Sequence, residues 1–334
     1  MGCISTPVGM LPIEKIPKEF LDFLTETGVD INVYYEYSHG NCVTILGDDA
    51  DAVRDGTGLV PWVPYPTYYY KLANQEKLSQ DSNCFSMDAA SALAVAILDP
   101  QPGEHVLDLC CAPGMKLSLI GRLVGLEGSV TGVDISKSRL SVCRSIVKAK
   151  KVGRCRLFCA DGTLFDIPPL LVLDRESRGS HSHREKPFYQ STAFNRFPVK
   201  LSEEWYDKVL VDAQCTHDGS IKHIQKADEK TWSVLKDQLS LDALEKLYRL
   251  QLALLKNGFA KCRVGGYVVY STCSFSRKQN EDIVELFLKE HEEKAKLVDI
   301  ECKLFDTPQP FVRVDPRIHG AGFLFVAKIF KKCN

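Results

Sequence analysis

From about residue 85 onward, short runs with the character of buried strands alternate with runs of helical period, and few architectures accept that alternation. A strand that returns parallel to its predecessor needs a crossover of a dozen or more residues, usually a helix, and the resulting sheet is covered on both faces. The pattern predicts strands over 105–109, 129–133, 155–159, 208–211, 266–271 and 323–330. It predicts helices over 89–98, 116–124, 135–150, 239–257 and 280–290. Residues 81–334 should therefore form an α/β domain with a doubly wound, Rossmann-like sheet.

The first 80 residues read as a small α+β extension. Ile16, Phe20, Leu21, Phe23 and Leu24 give a helical stripe over 13–28 that Gly28 ends, and short strands are expected over 33–37 and 42–46, around Ser38-His39-Gly40. A proline-rich connection over 61–66 leads toward the main domain. Within that domain, residues 166–205 are rich in charge, proline and serine and read as a mobile insertion, with Arg175, Arg178, Arg184, Lys186, Arg196 and Lys200 as possible phosphate contacts. Forty-two basic against forty-three acidic side chains leave no whole-molecule field for a polyanion, so any such site is a local patch. The thirteen cysteines are scattered, follow no apolar signal segment and include no Cys-x-x-Cys pair, which points to a reduced intracellular setting and gives a metal site little support. No apolar run approaches the roughly 20 residues of a membrane-spanning helix, so a soluble chain is expected. Met1 to Thr6 fits the formal pattern for myristoylation of Gly2, although Pro7 follows at once.

Three strand ends carry the first chemical signals. The run Cys110-Cys111-Ala112-Pro113-Gly114-Met115-Lys116 is a tight, small-residue turn between a strand and a helix, where backbone N–H groups and the positive helix end can face an anionic group. It lacks the Gly-x-Gly-x-x-Gly spacing of a dinucleotide site. The next strand ends in Asp134, placed to accept hydrogen bonds from ribose hydroxyls, and the one after it leads to Asp161, placed to accept an adenine amine. A turn, an acid and an acid in this order are the layout of S-adenosylmethionine-dependent methyltransferases.

Val211-Asp212-Ala213-Gln214-Cys215-Thr216 follows the fourth strand, and Tyr270-Ser271-Thr272-Cys273-Ser274 with Gln279-Asn280-Glu281 follows the fifth. With these two cysteine motifs the sequence resembles the Sun (RsmB-like) family of RNA cytosine-5 methyltransferases. The resemblance runs from Gln80-Asp81 and Met87-Asp88-Ala89-Ala90-Ser91 to His319-Gly320-Ala321-Gly322-Phe323. It implies a class I methyltransferase sheet, S-adenosyl-L-methionine as cofactor and a tRNA or rRNA cytosine, unpaired or flipped, as target. It assigns the attacking thiolate to Cys273 and help in product release to Cys215. Asp212 would sit beside the base and, if protonated, could donate to ring nitrogen 3. Lys116 would orient Asp212, and Arg139 matches a cofactor-side position. Covalent attack is needed because carbon 5 of cytosine is a poor nucleophile until a thiolate has added to carbon 6. DNA enzymes carry their nucleophile in a Pro-Cys segment after the fourth strand, whereas this chain has Gln214-Cys215 there and an intact Thr272-Cys273.

The chain departs from the family pattern at Met115, where a second glycine is usual, at Gln214, where proline is usual, and at His217-Asp218, where small residues are common. Lys148, Lys150, Lys151, Arg154 and Arg156 form a candidate phosphate-contacting strip, the N-terminal extension is a second possible RNA contact, and a monomer is expected. Two rival readings stay open: an assembly factor that keeps the fold without turnover, and methylation of a protein or small molecule, which would leave the cysteine pair without a purpose.

Overall fold

The computed structural model describes residues 16–36, 41–46, 58–70, 81–173 and 186–333. The N-terminal part comprises α1 (Lys18–Thr27), α2 (Val33–Glu36), β1 (Asn41–Ile45), β2 (Thr67–Tyr70) and β3 (Cys84–Ser86). Next come α3 (Ala89–Leu98), β4 (His105–Asp108), α4 (Met115–Leu123), β5 (Ser129–Asp134), α5 (Lys137–Ala149) and β6 (Cys155–Cys159). The short strands β7 (Leu170–Val172), β8 (Tyr189–Gln190) and β9 (Val199–Leu201) precede β10 (Tyr206–Asp212), α6 (Ile221–Gln225), α7 (Glu229–Gln238) and α8 (Leu241–Ala260). The chain closes with β11 (Cys262–Thr272), α9 (Glu281–Glu290), β12 (Ala295–Val298), β13 (Val312–Val314), α10 (Pro316–His319) and β14 (Leu324–Lys331).

The main sheet runs β12-β14-β11-β10-β4-β5-β6-β8, with β13 beside β14. Its centre, β11-β10-β4-β5-β6, is parallel, while β14 and β8 pair antiparallel at its two sides. Each central strand is apolar on both faces: Val209 and Val211 of β10 enter one core, Leu210 enters the other, and all are fully buried. Burying side chains of this size contributes about 1.5–3 kcal/mol apiece, so the period-two, two-faced pattern fixes both layers at once. Serine and aspartate caps set the helix starts, with Asp88 accepting from Ala90 N, Ser136 from Arg139 N, Asp228 from Thr231 N and Ser240 from Ala243 N.

Several expectations are corrected. Residues 33–36 form a helical turn instead of a strand, because buried Tyr34 reaches across to donate its hydroxyl to Asp218 O at 2.6 Å, and that contact outweighs aromatic strand propensity. The stretch 166–205 is not simply a loop: β7 pairs with β9, β8 pairs with β6, and Phe194 is buried with Leu170 and Val199. Arg175, Arg178 and Arg184 lie outside the described residues, as do Ser38-His39-Gly40 and the N-terminal Met1 to Thr6. Helices α6 and α7 were not read from the sequence. The small sheet, ordered β2-β1-β3, takes its third strand from Cys84–Ser86, beyond residue 80. Among the described residues no helix is long and apolar enough to cross a membrane.

Helix α1 is held to the main body by Phe20, 1% exposed, whose ring lies 5.3 Å from Trp232 and 5.8 Å from Tyr34 between centroids. Phe20→Ala should lower the unfolding free energy by about 3–5 kcal/mol. A urea midpoint that does not move would show that this segment is not part of the cooperative unit.

Candidate active site

Strands β4 and β10 are parallel neighbours, and from them the sheet builds outward in opposite directions, through β5 and β6 on one side and β11 on the other. The crevice outside their C-terminal ends is where a doubly wound sheet binds ligands. A cavity of about 400 Å³ opens there, walled by Cys110, Ala112, Pro113, Lys116, Asp134, Arg139, Asp161, Asp212, Gln214, His217 and Cys273.

The turn after β4 is built from its own hydrogen bonds. Cys110 N donates to Asp108 Oδ1 at 3.2 Å, Cys111 N to Val133 O at 2.9 Å and Ala112 N to Asp134 Oδ2 at 3.3 Å. These three amides therefore shape the turn instead of pointing at a ligand. Arg139 clamps it from α5, donating to Ala112 O at 2.7 Å and lying 3.6 Å from Asp134. Gly114 adopts a φ of 112°, and a Cβ there would stand 2.6 Å from Cys143 Sγ, so only glycine lets the turn sit this close to α5. Cys111, Gly114 and Met115 do not wall the cavity; Cys111 and Met115 face the core between β5 and α5, so the bulk of Met115 stays out of the crevice. Asp134 accepts from Ser136 N through its other oxygen, and Asp161 holds Thr163 through Oδ1. Both acids still present carboxylate lone pairs at the cavity wall.

On the opposite side Asp212 accepts from Lys116 Nζ at 2.8 Å and from Ser271 Oγ at 2.7 Å. Both carboxylate oxygens thus act as acceptors. Asp212 is thus oriented between a lysine and a serine hydroxyl. Lys116 is raised from its ordinary value, its burial outweighed by the charge and hydrogen bond of Asp212 together with the more distant Cys273 and Asp108. One layer deeper, burial and the neighbouring Asp212 charge push the Asp108 carboxyl up to about 7.

The two cysteines come together. Cys215 Sγ lies 3.3 Å from Cys273 Sγ, with Cys273 at the cavity wall and Cys215 buried behind it. Register explains the meeting: Asp212 pairs with Ser271, so the loops leaving β10 and β11 run side by side. A buried polar network then laces them. Gln279 accepts from Thr216 N and donates to Thr216 Oγ1, Thr216 donates to Asp218, Phe275 N donates to Asp218 Oδ2, and Asn280 bridges Thr272 and Ser274. Gly219 N donates to Cys273 O at 2.8 Å, and a Cβ on Gly219 would meet that oxygen at 2.5 Å. Gln251 of α8 donates to Gln214 O at 2.8 Å and so holds the position where proline is usual.

His217 completes the group. Its backbone is left-handed, φ 56°, which costs a non-glycine residue roughly 1–2 kcal/mol, and this turn directs Nδ1 to 3.2 Å from Cys273 Sγ and 3.7 Å from Cys215 Sγ. The imidazole is raised to about 9, chiefly by the charge of Cys215 and its hydrogen bond. Cys215 is lowered, chiefly by hydrogen bonding from Cys273, while Cys273 is raised by the same bond. The sequence marked His217 only as a departure from a family pattern; Asp108, Ser271 and Gln251 carried no signal.

The basic strip does not hold together. Lys150 and Arg156 are buried, donating to Asp81 O and to Pro168 O and Thr131, because their long side chains seal strand and helix edges. Lys148 reaches the Tyr189 ring and Arg154 donates to Glu127 O, while Lys186, Arg196 and Lys200 are exposed.

A family model described as 16S rRNA methyltransferase RsmB/F matches residues 95–175 and 190–330. The chain is 27% identical over 258 residues to a "Probable ribosomal RNA small subunit methyltransferase B" of Bacillus subtilis, covering 76% of this chain and 49% of that protein. It is 24% identical over 291 residues to a tRNA (cytosine(49)-C(5))-methyltransferase of Pyrococcus abyssi, covering 81% and 79%. It thus spans about half the length of the first relative. The crystal structure of a methyltransferase homolog protein from Pyrococcus horikoshii superposes with a TM-score of 0.64 at 20% identity, over 95% of this chain and all of that one, and so shares its fold.

The buried Asp108 gives a pH prediction. Its folded value lies above that of an unfolded aspartate, so the folded state binds the proton more tightly, and the associated stability is present at low pH and lost as pH rises from about 4 toward about 7. Asp108→Asn should therefore gain stability relative to the native protein between pH 4 and pH 8 in paired urea titrations. A constant difference would place the proton elsewhere.

Proposed function

The chain belongs to the family described as 16S rRNA methyltransferase RsmB/F, and from that membership and the geometry of the cavity we propose that it methylates carbon 5 of a cytosine in rRNA or tRNA with S-adenosyl-L-methionine as donor. The observation that carries the reading is the pair of sulfurs 3.3 Å apart at the switch point of the sheet, one facing the cavity and one behind it.

The donor set suits the cofactor. Asp134 and Asp161 offer carboxylates to ribose hydroxyls and to an adenine amine, and Ile135, Gly162 and Leu254 offer apolar and small surface for a ring. A bound sulfonium supplies an electrophilic methyl group. On the other wall Cys273 attacks carbon 6 of the base, its sulfur pair forming the S–C6 bond while the C5–C6 double bond becomes nucleophilic at carbon 5. Asp212, oriented by Lys116 and Ser271, accepts the exocyclic amine of the cytosine and so distinguishes it from uracil. After methyl transfer the proton on carbon 5 passes to Cys215, the C5–C6 double bond re-forms and the S–C6 pair returns to Cys273. The target base must be unpaired or flipped to reach this depth. Residues 81–334 are assigned to the methyltransferase domain and residues 1–80 to a small N-terminal extension.

Cys273→Ala should abolish methylation and yield no protein–RNA adduct, whereas Cys215→Ala should accumulate a covalent adduct that survives denaturing electrophoresis. If Cys273→Ala still forms 5-methylcytosine, or if Cys215→Ala turns over freely, the assigned roles are wrong.

A further inference from the structure

Among the described residues His217 is the only ring that touches both sulfurs. Its Nδ1 is 3.2 Å from Cys273 Sγ and 3.7 Å from Cys215 Sγ, while another part of the residue remains exposed. The left-handed backbone that aims it is held from both sides, since Ser220 N donates to His217 O and the adjacent Asp218 is locked by Thr216 and Phe275. A strained backbone kept in place by a satisfied network at a reactive cysteine is a mark of a functional constraint.

We propose that His217 is a further catalytic residue, which takes the proton of Cys273 to make the attacking thiolate and then, still protonated, holds Cys215 as the thiolate that receives the proton from carbon 5. The inference rests on the cytosine-5 reading above. In the first step the S–H bond of Cys273 breaks, its electron pair stays on sulfur and the proton bonds to the Nδ1 lone pair. Once Cys273 is bonded to carbon 6 it no longer shares charge with its neighbour. Cys215, having lost its own proton to solvent, is then the anion facing the imidazolium. The carbon 5 proton ends on Cys215 Sγ and replaces the one Cys215 gave up, so the single proton passed to solvent matches the one that the reaction releases. Elimination returns the S–C6 pair to Cys273 and restores the original ion pair.

The surrounding charges fit these steps. Asp212 from β10 and Asp218 beyond the turn face the ring and favour its protonated form, and the Cys215 charge acts in the same direction. Lys116 from α4 faces the group from the positive side and favours the thiolate, while His223 from α6, its ring centroid 6.4 Å from that of His217, is lowered by burial and by the His217 charge. Asp218 is itself pushed up to about 6 by burial, so its influence on the ring grows above that pH.

Two measurements test this. Alkylation of Cys273 by iodoacetamide, followed by mass spectrometry on the RNA-free protein from pH 5 to 10, reads the thiolate directly. His217→Asn, which tolerates the left-handed backbone, should move the acid limb of Cys273 alkylation to higher pH and slow alkylation at pH 7 by roughly tenfold or more. In the second, His217→Gly should lose about 10²-fold in methylation at pH 7 and recover part of it with added imidazole, which a purely structural role would not allow. An alkylation profile that His217→Asn leaves unmoved, or a His217→Gly loss that imidazole does not relieve, overturns the inference. A shifted profile in a protein that methylates no cytosine overturns the proposed function while upholding the ion pair.

Discussion

The site depends on the parallel register of β10 and β11. Asp212 opposite Ser271 sets the two following loops side by side, and everything reactive lies within a few residues of that pair. A slip of one residue would turn each strand's side chains to the other face and separate the sulfurs. Apolar burial of Val209, Leu210 and Val211 on both faces fixes the register from below, and the Thr216, Asp218, Gln279 and Asn280 network fixes it from above. A buried network of this kind rigidifies only when every member is satisfied, which explains why so many short polar side chains cluster at the ends of two strands.

Charge is distributed as economically as position. Three aspartates, Asp108, Asp134 and Asp212, end or adjoin the central strands with Lys116 as the nearest ammonium group. Burial and the Asp212 charge push Asp108 up to about 7, so it carries less than a full charge near neutrality, and the Lys116 bond orients Asp212. Asp134 is stabilised separately by backbone amides and Arg139. The two walls of the cavity therefore have different characters: one of carboxylates and backbone, suited to a nucleoside, the other of sulfur, imidazole and an oriented acid, suited to covalent chemistry.

Much of this was legible in the sequence, for identifiable reasons. Two-faced strands such as Val209-Leu210-Val211 and capped helices such as the one starting at Asp88 carry strong local signals, so the succession of central strands along the chain and the strand ends bearing Asp134, Asp161, Asp212 and Cys273 could be read directly. What failed was decided by distant contacts. Tyr34 is turned into a helix by Asp218, 184 positions away, and Lys150 and Arg156 look like surface charge until the packing of β3 and β6 draws them inward. His217 was visible as an anomaly but not as a partner of both sulfurs, because its reach is set by a positive φ that no residue type announces. Met115 and Gln214, which kept an inactive assembly factor in view, lose much of that force: one faces the core and the other has its carbonyl held by Gln251.

The central claim is that a methyl group is delivered to carbon 5 of an RNA cytosine. The most direct measurement incubates the purified full chain with S-adenosyl-L-methionine and unmodified rRNA and tRNA transcripts, digests the RNA to nucleosides and separates them by mass spectrometry. The account predicts that 5-methylcytidine accumulates and that no other nucleoside gains mass. Methyl transfer to the exocyclic nitrogen or to ribose, or cofactor binding with no modified nucleoside in any transcript, would contradict it.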